Sequence, residues 1–141
     1  MKSKKSIIDV YYCDIYNFDL VVANKYATVE QLKKRYKYND GAELDIDSFL
    51  TDSMATTSCC TDKKTNSRVM LVKYNSDNTS KKVDKKSDFI NTVSHEATHV
   101  AIDVYYHMLD QALRPDSSEP FCYLQGWAAE CIYKTLTKWQ T

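Results

Sequence analysis

Apolar and polar positions alternate along the first half of the chain and follow a helical period along the second. Residues 7–13 (Ile-Ile-Asp-Val-Tyr-Tyr-Cys) and 19–23 (Asp-Leu-Val-Val-Ala) are rich in β-branched and aromatic side chains, which predicts two strands with a turn near Tyr16-Asn17. Thr28-Val29-Glu30-Gln31 has the form of a capping box, so a short helix is expected from Thr28 to about Tyr38, stopping before Asn39-Asp40-Gly41. A hairpin follows: residues 54–61, a polar turn over 62–66, and residues 67–74 with alternating apolar positions. Residues 75–86 form a polar, Lys-rich connector, expected as a solvated loop.

From residue 88 the period changes. Phe89, Ile90, Val93, Ala97, Val100, Ala101, Val104 and Met108 fall on one side of a helix reaching about Leu109, with Asp84 or Ser87 as its cap. Arg114-Pro115-Asp116-Ser117-Ser118 interrupts the pattern. A last helix then runs from Ser118 or Glu119 to about Trp139, with Pro120 tolerated in its first turn. Strand hairpins followed by two long helices predict an α+β domain over residues 1–141, a small antiparallel sheet packed on a helix pair.

Composition narrows the function classes. Charges balance at 19 each and net charge is zero, so no nucleic-acid footprint and no anionic-membrane partner are expected. No apolar run is long enough for a membrane span, and no secretory signal pattern follows Met1, so a cytoplasmic location is expected. Five cysteines are an odd number without metal-knuckle spacing, and they read as reduced packing residues. Residues 41–52 are acidic but lack the Gly and bidentate Glu of a calcium loop.

The chemistry concentrates at His95-Glu96-Ala97-Thr98-His99. On a helix, residues four apart project from one face, so two imidazoles can meet one metal ion, and Glu96 lies about 100° round, within reach of a metal-bound water. The predicted core stripe runs along the opposite face. A catalytic zinc usually keeps three protein ligands and an open position. The extended pattern with a third histidine fails, because Ile102 and Tyr105 stand where Gly and His are needed. A carboxylate from the last helix remains, and that helix carries two: Glu119 in its first turn and Glu130 three turns on, nearly on the same face, with Gly126 between them.

The segment His95 to Asp103 resembles the zinc helix of thermolysin-type gluzincins: positions 94, 97, 98 and 100 are uncharged, and Glu119 lies at a similar spacing to that family's third ligand. Glu119-Pro120-Phe121-Cys122-Tyr123-Leu124 with Gly126-Trp127 also resembles small HExxH proteins of phages and their bacterial relatives. The likeness covers residues 87–139. It implies a zincin-like pair of helices, Zn²⁺ held by His95, His99 and Glu119, and peptide hydrolysis with Glu96 as general base, in a host cytoplasm if phage-encoded. The partner implied is a protein or peptide, as substrate or as binding partner of an inactive zincin-like domain. Tyr123 is favoured over Tyr106 and His107 as oxyanion donor, and residues 54–61 are the expected edge strand for an extended substrate. Tyr123 stands where that family often has an Asp, so Asp103 is the candidate to orient a ligand imidazole.

Overall fold

The computed structural model describes residues 5–45, 54–75 and 85–138. The two N-terminal apolar runs pair as an antiparallel hairpin, β1 (Ile8–Cys13) with β2 (Phe18–Ala23). Four residues close it, and Asn17 takes the left-handed conformation (φ 52°) that Asn tolerates better than most side chains. Thr28 caps α1 (Val29–Lys33) through the expected reciprocal box: its Oγ1 accepts from the Gln31 amide at 3.1 Å, and Gln31 Oε1 accepts from the Thr28 amide at 2.9 Å.

The helix predicted to reach Tyr38 stops five residues earlier. Tyr36, Lys37 and Tyr38 instead form β3 (Tyr36–Tyr38), paired with the end of β4 (Ala55–Asp62). Alternating aromatic side chains suit a pleated surface, and Tyr36 is buried there. β4 returns through a turn into β5 (Arg68–Tyr74), the second expected hairpin.

The sheet runs β1-β2-β5-β4-β3 and is mixed, not antiparallel throughout: β2 and β5 are parallel neighbours. Between them the chain passes through α1, β3 and β4, so β5 enters beside β2 in the same direction. Leu20, Val21, Val22 and Ala23 pack beside Val69, Met70, Leu71 and Val72, all of them buried. Such uninterrupted apolar runs mark strands covered on both faces, but periodicity does not encode strand direction.

On one face, Leu20, Val22, Met70 and Val72 meet the helices; on the other, Val21, Val69 and Leu71 meet Ala27, Leu32 and Leu44. The helix layer consists of α2 (Lys85–Asp103), a π-helical turn over Val104–Met108, and α3 (Glu119–Leu136). Ser87 lies inside α2 instead of capping it, and Asp84 falls outside the described residues. Residues 46–53 and 76–84, covering most of the acidic stretch and of the Lys-rich connector, also lie outside them, as does Trp139.

Phe121 packs on Tyr105 (ring centroids 5.4 Å apart), while Tyr133 packs on Phe89 at the far end (6.1 Å), so α2 and α3 run antiparallel. α2 lies over β4, and α3 lies over β2 and β1. Val93, Ala97, Val100, Ala101 and Val104 form the buried stripe expected of α2, although Ile90 is exposed. No helix among the described residues is long and apolar enough to cross a membrane.

Candidate metal site

The buried stripe fixes the rotation of α2, and that rotation turns His95 and His99 outward. Their Nε2 atoms approach to 3.1 Å, with ring planes inclined at 72°. Two nitrogens on one tetrahedral zinc at 2.0–2.1 Å would stand about 3.3–3.4 Å apart. The observed spacing is therefore close to that of a shared metal, and a neutral pair can hold it meanwhile by one N–H···N hydrogen bond.

Glu96 turns the other way, toward the sheet, and is only 5% exposed. Its Oε2 accepts a hydrogen bond from Thr57 Oγ1 at 2.5 Å. Thr57 stands on β4, whose inner face meets α2. Strand and helix together enclose a hollow of about 450 Å³, walled by Met54, Ala55 and Thr57 on one side and by His95, Glu96 and His99 on the other. β3 reaches only Cys60, Thr61 and Asp62 of β4, and the Asn39 amide adds one bond to the Cys59 carbonyl. Among the described residues, the outer edge of β4 over residues 55–58 therefore has no strand partner.

Asp103 follows His99 by one turn. Burial holds its carboxyl above the usual aspartate range, an effect that the nearby His107 and His99 imidazoles offset only in part. Its closest imidazole contact is His107, with Nε2 3.8 Å from Asp103 Oδ1. Cys59 faces it from β4; burial and the Asp103 charge push that thiol up to about 11.

The residues expected from α3 are not brought to this hollow. Glu119 opens α3 exposed to solvent, and Glu130 is paired with Lys134 at 2.8 Å one turn further on. Tyr123, 74% exposed, lines a different hollow beside the β1–β2 turn. Tyr106 is exposed on the π-helical turn. Among the described residues, no three His, Cys, Asp or Glu side chains converge in a metal-binding arrangement. The histidine pair and Glu96 are thus assembled, and among the described residues no third candidate ligand joins them. Thr57 is the contact that sequence reasoning missed, since a Thr in a Thr-rich strand carries no mark of its partner on the helix packed above it.

No protein-family model, no curated protein and no solved structure matches the chain.

Proposed function

We propose that the chain is a small zinc-dependent peptidase of gluzincin type, with His95 and His99 as metal ligands, Glu96 as general base and Glu119 as third ligand. The observation that carries this reading is the 3.1 Å convergence of the two Nε2 atoms beside a buried carboxylate, in a hollow walled by β4. Zinc, when bound, would lower the pKa of a coordinated water to about 7 and polarise a peptide carbonyl. His95 and His99 present their nitrogens from successive turns of one rigid helix, so little ordering is needed to hold the ion. Glu96 accepts the proton of the attacking water and passes it to the leaving amine. The edge of β4 over residues 55–58, which has no strand partner among the described residues, offers backbone donors and acceptors to an extended peptide laid across the hollow.

Glu119 supports this reading by its spacing from His99. To ligate, the first turn of α3 has to close toward the histidines. Zinc content per purified chain, measured for the parent and for H99A, tests the metal. Cleavage of unfolded casein by the parent and by E96Q tests the chemistry. The reading requires near-stoichiometric zinc in the parent and in E96Q, its loss in H99A, and cleavage by the parent alone.

A second reading is favoured by the absence of a third converging donor among the described residues: a zincin-like domain that binds metal through the histidines, cuts nothing, and serves as a phage interaction module in the host cytoplasm. Zinc binding with equal absence of cleavage in parent and E96Q would select it.

A further inference from the structure

β1 is an outer strand of the sheet, and among the described residues nothing pairs with its outer edge. Its pairing with β2 sets which backbone groups that edge presents. The Asn24 amide donates to the Ile7 carbonyl at 2.9 Å, so Ile7 and Asn24 are a hydrogen-bonded pair of the antiparallel ladder. Bonds to β2 then fall at every second residue, on Asp9, Tyr11 and Cys13, and the N–H and C=O groups of Ile8, Val10 and Tyr12 point away from β2. Another extended strand answers that row group for group, whereas a helix has already paired its own backbone.

Edges of this kind are usually guarded by shortness, Lys, Pro, a bulge or an inward charge. The opposite outer strand, β3, is three residues long and carries Lys37. β1 is six residues long, pairs with β2 in unbroken register, and contains neither Lys nor Pro. Its one inward charge, Asp9, is neutralised within the chain by Lys138 at 2.8 Å and accepts from Thr135 at 2.8 Å. Tyr11 and Cys13 pack with the helix-side core, so Ile8, Val10 and Tyr12 turn to the other face, where Val10 is 54% and Tyr12 59% exposed.

The residue pattern of β1 is its own complement. With Val10 on a two-fold axis, Val10 faces Val10 of a second copy, Ile8 faces Tyr12 in both directions, and Asp9 faces Tyr11. All three outward-pointing residues are then paired, and apolar side chains meet apolar ones. Registers that keep the outward groups in contact differ by two residues. One sets Asp9 against Asp9 of the second copy, where like charges repel, and the other draws Asp14 of the turn against Ile8 and ends the ladder early. Charge and strand length both select the register centred on Val10.

We propose that β1 joins β1 of a second copy of this chain, antiparallel about a two-fold axis at Val10, so that two five-stranded sheets become continuous. The histidine hollow lies against β4, separated from β1 by β2 and β5, so the joint leaves it open and does not depend on the metal reading.

Sedimentation equilibrium of the full chain, from micromolar to millimolar loading, should show the mass rising from one chain to two. Amide exchange of the ¹⁵N-labelled chain should slow with concentration at Ile8, Val10 and Tyr12, while Asp9 and Tyr11, already bonded to β2, stay protected throughout. V10P removes an N–H that β2 does not use, and V10K sets two cations face to face on the axis. Each should keep the parent's exchange pattern in β2 and β5 and weaken association by about tenfold or more. A parent chain that stays monomeric at millimolar concentration overturns the proposal. So does a dimer that survives both variants, or one whose concentration-dependent protection falls on Ala55 and Thr57 of β4 or on the helices instead of on β1.

Discussion

Thr57 Oγ1 donates to Glu96 Oε2 across 2.5 Å, joining the first half of β4 to the carboxylate that follows the first histidine of α2. A buried carboxylate without a donor costs about 1–3 kcal/mol, more if it stays charged. T57V should therefore lower unfolding free energy by about that amount in urea titration, and T57S should recover most of it. If Glu96 is the general base, T57V should also lower kcat about tenfold with little change in KM, because the hydroxyl holds Glu96 and does not touch substrate. A T57V chain as stable as the parent would mean that the contact is not formed in solution.

The histidine pair makes a separate prediction about metal. H95A and H99A should each abolish stoichiometric zinc, because the remaining imidazole has no convergent partner among the described residues. E119Q should weaken zinc binding by at least the 10–100-fold typical of losing even an outer contact. E130Q should leave zinc unchanged, since Glu130 is engaged with Lys134. Competition with a colorimetric chelator reads all four affinities. Parent-like affinity in E119Q would remove Glu119 from the ligand set.

What the sequence disclosed follows from which physical effects are local. The capping box at Thr28, both hairpins and the burial stripe of α2 were legible because each depends on neighbours within a few residues. The outward turn of His95 and His99 followed from that stripe. The parallel pairing of β2 with β5 was not legible, because alternation looks the same in either strand direction. Nor was the Thr57–Glu96 bond, which joins residues 39 apart through the packing of a helix on a strand. Glu119 and Glu130 show the limit most clearly: shared helical phase put both on one candidate face, but the flank of α2 to which α3 packs is a tertiary choice.

Asp62 anchors the turn between β4 and β5. It is buried, and its carboxylate accepts from Arg35 Nε (3.0 and 3.1 Å) and from the amides of Lys64 and Thr65 (2.8 and 3.3 Å). Burial alone would push this carboxyl up, but the Arg35 and amide donors outweigh it and hold the group below the ordinary aspartate range. A depressed carboxyl contributes stability above its unfolded value, and that contribution is lost as pH falls through the folded one. D62N should lower stability at neutral pH by about 1.5–3 kcal/mol, the range for hydrogen bonds to charged groups. It should also flatten the stability profile below about pH 4. Chemical unfolding of parent and variant from pH 2.5 to 7 measures both.

Lys73 is shifted down as well, so its linkage has the same sign, but here the cause is burial of a cation and the window lies at alkaline pH. It is 5% exposed on β5, and its Nζ donates to the carbonyls of Asn24 (3.1 Å) and Tyr74 (2.7 Å), with no carboxylate paired to it among the described residues. Burial lowers its pKa from 10.5 to about 8. Between those two values the folded chain has released the proton and the unfolded chain still holds it, so this group makes stability rise with pH across that window. Burial also raises the Cys59 and Cys60 thiols to about 11 and about 12, which removes stability as pH climbs past their ordinary value of 9.0. Subtracting the profile of K73M from that of the parent cancels the thiols and isolates the lysine. The difference should move in favour of the parent from about pH 8 to 10.5 and be level below pH 7. A flat difference across the window would show that Lys73 keeps its ordinary pKa in the folded chain.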